Sequence, residues 1–393
     1  MGGLRGEAAI VGIAEFAPVR KPDRTWMGME AYAELARQAL EDAGMTLGDV
    51  DALMTGHVAE AGPMFMPGHL TEYLGIQSHL SEIVDLGGAA SAGAVLRAAI
   101  AIETGMCETA LCIFHTLPRP QNPMGGSQRW GRNWGSPMTE FDYPYGAIGQ
   151  NFAYATIANR YAYEYGLTDE QRAKVAVDQR TNACANPDAM FYGKPITVDD
   201  VLATRVVSWP FHLLEIVMPV SGAAAFIVSA PEAATKMPHT PAWYLGGAEK
   251  LGVSSVAQVK DILTTPISYT GPKAFERAGV TPADVDVVEV YDCFTTTVLL
   301  TLEDAGFCEK GKSGHFVMEH DLTYKGDLPV NTHGGQLSFG QAGLAGGTSH
   351  VTEAVRQLRH EAGERQVADA EIAFVNGNGG ILAEQCSLVL SNS

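Results

Sequence analysis

Apolar residues follow two alternating patterns along the chain. Short unbroken runs, ETALCIFHTL at 108–117, SGAAAFIVSA at 221–230 and AEIAFVNGNGG at 370–380, read as buried strands. Between them, apolar residues recur at helical spacing over about 92–105, 150–166 and 350–363, the last as HVTEAVRQLRHEAG. Helices alternating with short apolar strands predict parallel or mixed sheets covered by helices, an α/β class with sites at the loops that follow strands.

Two of these helices are entered from glycine-crowded loops. Residues 331–347 read NTHGGQLSFGQAGLAGG and lead into the helix at 350–363. Residues 85–105, DLGGAASAGAVLRAAIAIETG, are their counterpart in the first half. Such loops bring backbone N–H groups and a helix N-terminus close to a ligand. A second repeat strengthens the pairing. Fifteen residues from Ala39 (ALEDAGMTLGDVDAL) match fifteen from Ala274 (AFERAGVTPADVDVV) at eight positions without a gap. Each copy predicts an amphipathic helix ending at a glycine, Gly44 or Gly279, and a Thr/Asp restart into a strand. The expected organisation is an N-terminal half, 1–118, completed by 220–235, and a C-terminal half, 236–393, with one site between them. Residues 119–219 form an inserted loop or lid domain, opening on the Gly/Pro/Trp-rich stretch 119–137.

At 393 residues and 46% hydrophobic, the chain can bury more than one core, since a domain takes about 100 to 200 residues. A net charge of −19 argues against nucleic acid and anionic membranes as partners. Six cysteines without a CxxC pair suggest neither a zinc site nor a disulfide framework, and reduced thiols in a cytoplasm are expected. The apolar stretch near the N-terminus is too short to span a bilayer.

With the duplication, the two glycine loops, Val290-Tyr-Asp-Cys-Phe-Thr and NPDAMFYGKPIT at 186–197, the chain resembles the thiolase superfamily, in its sterol-carrier and lipid-transfer branch. The resemblance implies a five-layer αβαβα fold, a homodimer, and acyl-CoA thioesters as substrates, with no cofactor or metal on this chain. It also implies a small partner built from a zinc ribbon and an OB-fold.

The departures from that family direct the chemistry. Its nucleophilic cysteine falls at Gly88, or at Ala89 if the register slips by one; its HDCF histidine is Tyr291; the histidine of its Gly-His-Pro loop is Gln341; and the last glycine loop, Asn376-Gly-Asn-Gly-Gly, lacks the cysteine base. Covalent acyl transfer is not expected without the thiol. The resemblance narrows to thiolase-like aldolases that cleave β-hydroxyacyl-CoA thioesters of steroid side chains. These also lack the nucleophile and carry a tyrosine where Tyr291 stands. Their second tyrosine, in the glycine loop near Gln341, has no counterpart here. A retro-aldol cleavage needs a base, enolate stabilisation and an acid.

The candidate catalytic residues are therefore Tyr291, a proton donor or enolate stabiliser, with His333, Gln341 and Asp292; Asp292 also reads as a helix N-cap and His333 as a brace for the loop. Gly88, Ala89, Ser91, Gly340, Asn376 and Gly377 are expected around the thioester, with tight packing between repeated helices as the structural alternative. Cys293 and His115 read as core residues. Two other classes compete. One is an acyltransferase with an unusual nucleophile, the other an inactive scaffold subunit. A serine hydrolase built on Ser91 is disfavoured because the His-Gly-Gly at 333–335 comes after the serine instead of before it and the duplication has no place in a hydrolase. GxGxxG, the dinucleotide signature, is absent.

Overall fold

The computed structural model describes residues 4–20, 28–56, 66–116, 138–147 and 149–393. The segment 119–137, with Trp130 and Trp134, lies outside the described residues. In chain order the strands are β1 (Ala9–Val19), β2 (Ala52–Thr55), β3 (Leu80–Ile83), β4 (Thr109–Thr116), β5 (Val206–Ser208), β6 (Phe211–His212), β7 (Ser221–Ser229), β8 (Ala242–Leu251), β9 (Val287–Val290), β10 (Ile372–Gly379) and β11 (Glu384–Ser391). The helices are α1 (Gly28–Ala43), α2 (Met66–Leu74), α3 (Ala90–Glu103), α4 (Gln150–Tyr165), α5 (Asp169–Cys184), α6 (Val198–Ala203), α7 (Pro231–Ala234), α8 (Ile267–Ala278), α9 (Thr295–Ala305), α10 (Ser313–Glu319), α11 (Gly335–Ser338) and α12 (Leu344–Leu358).

Nine strands form one mixed sheet in the order β3-β2-β4-β7-β1-β8-β11-β10-β9. The duplication is visible in that order: β1-β7-β4-β2 on one side of the β1/β8 seam corresponds to β8-β11-β10-β9 on the other. The seam is a short antiparallel pairing, Ala9 with Trp243 and Ile10 with Ala242.

Alternation along β4 shows how the layers arise. Leu111 and Ile113 pack with α1 and α2, whereas Cys112 and Phe114 face a core shared with α3 and α12. Both faces are buried, which is why the strand reads as continuously apolar. On the other side of the seam, Val287 and Val375 join the shared core, and Val288, Val290 and Phe374 pack with α8 and α9. The result is helix, sheet, helix pair, sheet, helix: the expected five layers. Being enclosed, α3 is apolar nearly all round.

The sequence repeat folds into two superimposable turns. Gly44 and Gly279 take left-handed conformations, φ +66° and +71°, that end α1 and α8. Asp49 Oδ2 accepts from the backbone N and hydroxyl of Thr46, both at 2.8 Å, and Asp284 Oδ2 accepts from Thr281 in the same way, both at 2.7 Å. The next aspartate of each copy reaches sideways. Asp51 accepts from Glu108 N and Thr109 N at the head of β4, and Asp286 from Glu371 N and Ile372 N at the head of β10.

The described part of the 119–219 excursion packs on the C-terminal half: Tyr154, Ile157 and Tyr161 of α4 share a core with α8 and α9. It also grips the second glycine loop. Asn182 Nδ2 donates to Val330 O, Asn186 Nδ2 to His333 O, and Arg180 Nε to Ser338 Oγ.

Candidate active site

The site lies where β9 ends against both glycine loops. Pairing of β9 with β10 carries on past the strand, since Tyr291 N donates to Asn376 O at 2.9 Å. Tyr291 is thereby held with 7% of its surface exposed. Its ring stands over Gly88, which with Ala89 is where the resemblance would put the family's cysteine. A Cβ on Gly88 would lie 2.1 Å from Tyr291 Cε2 and 2.4 Å from the carbonyl of Asn378. Backbone meets backbone around it: a Cβ on Gly377 would lie 2.6 Å from Ala89 Cα, and one on Gly347 2.1 Å from Gly88 O. Gly88, Ala89 and Gly377 thus pack together beneath the Tyr291 ring.

Gln341 Nε2 donates to the Tyr291 phenol at 3.4 Å, and Gln336 Nε2 lies 3.3 Å from His350 Nε2. Burial pushes the phenol above its ordinary range, while the Gln341 and Gln336 amides pull the other way. Tyr291 is accordingly a protonated group near neutral pH, able to donate rather than accept. The same contact joins the two positions, Tyr291 and Gln341, at which this chain departs from the histidines of its family.

Two buried carboxylates flank Tyr291. Asp292 Oδ1 and Oδ2 accept from Gln336 N (2.8 Å) and Leu337 N (3.0 Å), capping the first turn of α11. Glycine at 335, φ +59°, is required there, because a Cβ would lie 2.3 Å from Asp292 Oδ2. Glu289 Oε1 accepts from Thr332 N and Oγ1, and its Oε2 accepts from His350 Nδ1 at 3.1 Å. The other ring nitrogen of His350 lies 3.3 Å from Asp292 Oδ1. Burial opposes protonation of His350, but Asp292 and Glu289 outweigh it and lift the imidazole to about 9. Burial likewise pushes Glu289 up, and His333 and His350 bring it below its ordinary value.

His333 contacts Glu289 Oε2 through Nδ1 at 3.2 Å and sets its ring edge-on to His350 and Phe339. These contacts set His333 between Glu289, His350 and Phe339. Glu289, His333 and His350 each offer a ligand atom within 4.8 Å of one another. The Glu289 oxygens are hydrogen-bonded to Thr332 and His350.

Other expected residues fall outside this constellation. Ser91 Oγ is hydrogen-bonded to Thr348 Oγ1 across the α3/α12 contact. The Asn376 side chain bonds Gln385 and Ser387 within the β10/β11 pair, so only its backbone serves Tyr291. At Gly340, φ +131°, a Cβ would lie 3.0 Å from Val220 Cγ2 and 3.2 Å from Met190 Cγ. Cys293 is buried beside Thr297, its thiol pushed up to about 12 by burial, and is no nucleophile. His115 stacks on Tyr32. Glu289, Gln336 and His350 were not singled out by sequence reasoning, although Gln336 stands inside the glycine loop.

This nine-stranded duplicated sheet around two central helices, with its site between the glycine loops, defines a thiolase fold, and the chain belongs to the thiolase superfamily. Residues 248–392 match the thiolase C-terminal domain-like family. The chain is 33% identical over 366 residues to the steroid side-chain-cleaving aldolase of Thermomonospora curvata, covering 91% of each. It is 32% identical over 394 residues to the 17-hydroxy-3-oxo-4-pregnene-20-carboxyl-CoA lyase of Mycobacterium tuberculosis, covering 96% of this chain and 98% of that one. Among solved structures, the Ltp2-ChsH2(DUF35) aldolase superposes with a TM-score of 0.87 at 30% identity, over 99% of this chain and 98% of that one.

Proposed function

We propose that this protein cleaves a β-hydroxyacyl-CoA by a retro-aldol reaction, giving a ketone or aldehyde and a shorter acyl-CoA. The observation that carries the reading is the Tyr291 ring standing where a nucleophilic side chain would have to be. Acyl transfer through that position is sterically closed, whereas a retro-aldol cleavage needs no covalent intermediate. A base takes the β-hydroxyl proton, the Cα–Cβ electron pair passes into the thioester enolate, and Tyr291 returns a proton to Cα. The phenolate left behind accepts from the Gln341 amide until the hydroxyl proton replaces the one given up. Gln341 orients the hydroxyl or a water; His333, held against Glu289, braces the loop.

Two relatives are named as a steroid side-chain-cleaving aldolase and a pregnene-carboxyl-CoA lyase, and a steroid CoA thioester is the substrate class we favour. Likeness to a complex containing a DUF35 protein supports a small zinc-ribbon and OB-fold partner for this chain. A homodimer in the cytoplasm completes the reading. No helix among the described residues is long and apolar enough to cross a membrane.

The test is recovery of the tagged protein from its host and assay of the assembly on a panel of β-hydroxyacyl-CoA thioesters. Release of a ketone or aldehyde with a shorter acyl-CoA supports the aldolase. A stable assembly without turnover on any member would instead indicate a scaffold subunit.

A further inference from the structure

Glu289 and Asp292 are two residues before and one after Tyr291, and each holds a different part of the second glycine loop. Glu289 fixes its start through Thr332 N, and Asp292 fixes α11 through Gln336 N and Leu337 N. The loop then presents the Gln341 amide to the Tyr291 phenol at 3.4 Å, while Gln336 Nε2 lies 3.3 Å from His350 Nε2. His350, on α12, reaches both carboxylates, at 3.1 and 3.3 Å, from opposite ring nitrogens. An imidazole can donate at both nitrogens only when protonated. All three side chains are within 1% of full burial, where two facing carboxylates without a cation between them are costly.

We propose that His350 is a positioning residue for Tyr291: its imidazolium clamps the carboxylates on either side of that tyrosine and so fixes the loop that contacts the phenol. The inference rests on the aldolase reading only for its kinetic readout. The other charged groups facing His350 are accounted for. His333 approaches the same Glu289 oxygen, and Glu353, one turn along α12, is neutralised by Arg365. The clamp is therefore present below about pH 9 and lost as pH rises through that value.

The experiment compares wild type with His350→Phe in its native assembly. At pH 7.5 the variant is expected to keep KM within about twofold and lose about 100-fold in kcat, the scale of a misplaced catalytic group. Wild-type kcat is expected to fall above about pH 9, and this alkaline limb to vanish in the variant. Independently of turnover, 13Cζ-tyrosine NMR follows Tyr291, assigned by its loss in Tyr291→Phe. That resonance should shift as His350, read by 15N-histidine labelling, titrates near pH 9. A wild-type protein that cleaves nothing yet shows the coupled shift would sink the aldolase reading and leave the clamp standing. A neutral His350 at pH 7.5, an unmoved Tyr291 signal, or an alkaline limb that survives in His350→Phe would overturn the clamp.

Discussion

Tyr291 and Gly88 act as one unit, because a ring and a nucleophile cannot occupy the same space. Gly88→Cys should therefore not restore a thiolase. The added side chain must displace the ring or the Asn378 carbonyl, an overpacking that costs about 1 to 3 kcal/mol, read as a lower urea midpoint without acyl-enzyme formation. Tyr291→Phe should fold as wild type and lose cleavage by about 100-fold or more, as removal of a general acid does; undiminished turnover would end its proposed role. Tyr291, Gly88 and Gln341 were legible in the sequence because each stands in a motif. Glu289 and His350 were not. They are 61 residues apart, one in an apolar strand and one in an amphipathic helix, and neither pattern announces that they meet.

Secondary elements that repeat were the easiest to foresee. Eight matched positions of the helix–turn–strand unit predicted the C-cap glycines and the Thr/Asp turn. The sideways reach of Asp51 and Asp286 to neighbouring strands was hidden, since it depends on sheet order. The four-residue α11 was equally hidden, because its cap comes from Asp292, more than 40 residues away. Asp292→Ala leaves two buried N–H groups without a partner, at about 1 to 3 kcal/mol each. We expect a clear loss of thermal stability together with lost activity. One turn along α12 from His350, the buried Glu353 carboxyl is pushed up by burial, but Arg365 outweighs this and holds it at about 2. Its contribution to stability is full above the unfolded-state value and is lost as pH falls toward 2. Arg365→Met strands the carboxylate and should cost about 3 to 5 kcal/mol at neutral pH, recovering partly in acid as Glu353 takes up a proton. Equal destabilisation at pH 7 and pH 4 would contradict this.

Across the whole molecule, duplication places the two glycine loops face to face beneath the central helices, so that one site draws on both halves. The fold was legible because two independent repeats fell in the same order in each half. The acyl group was not, since the stretch expected to shape its pocket is the one least constrained by periodic pattern. The account as a whole turns on whether carbon–carbon cleavage proceeds without a covalent acyl-enzyme. Single-turnover reaction of the native assembly with a β-hydroxyacyl-CoA, followed by intact-protein and small-molecule mass spectrometry of the same quenched samples, tests this most directly. The account predicts a ketone or aldehyde and a shorter acyl-CoA in equal amounts while the protein mass stays unchanged throughout. A protein mass raised by the acyl group, appearing and decaying with turnover, would contradict it.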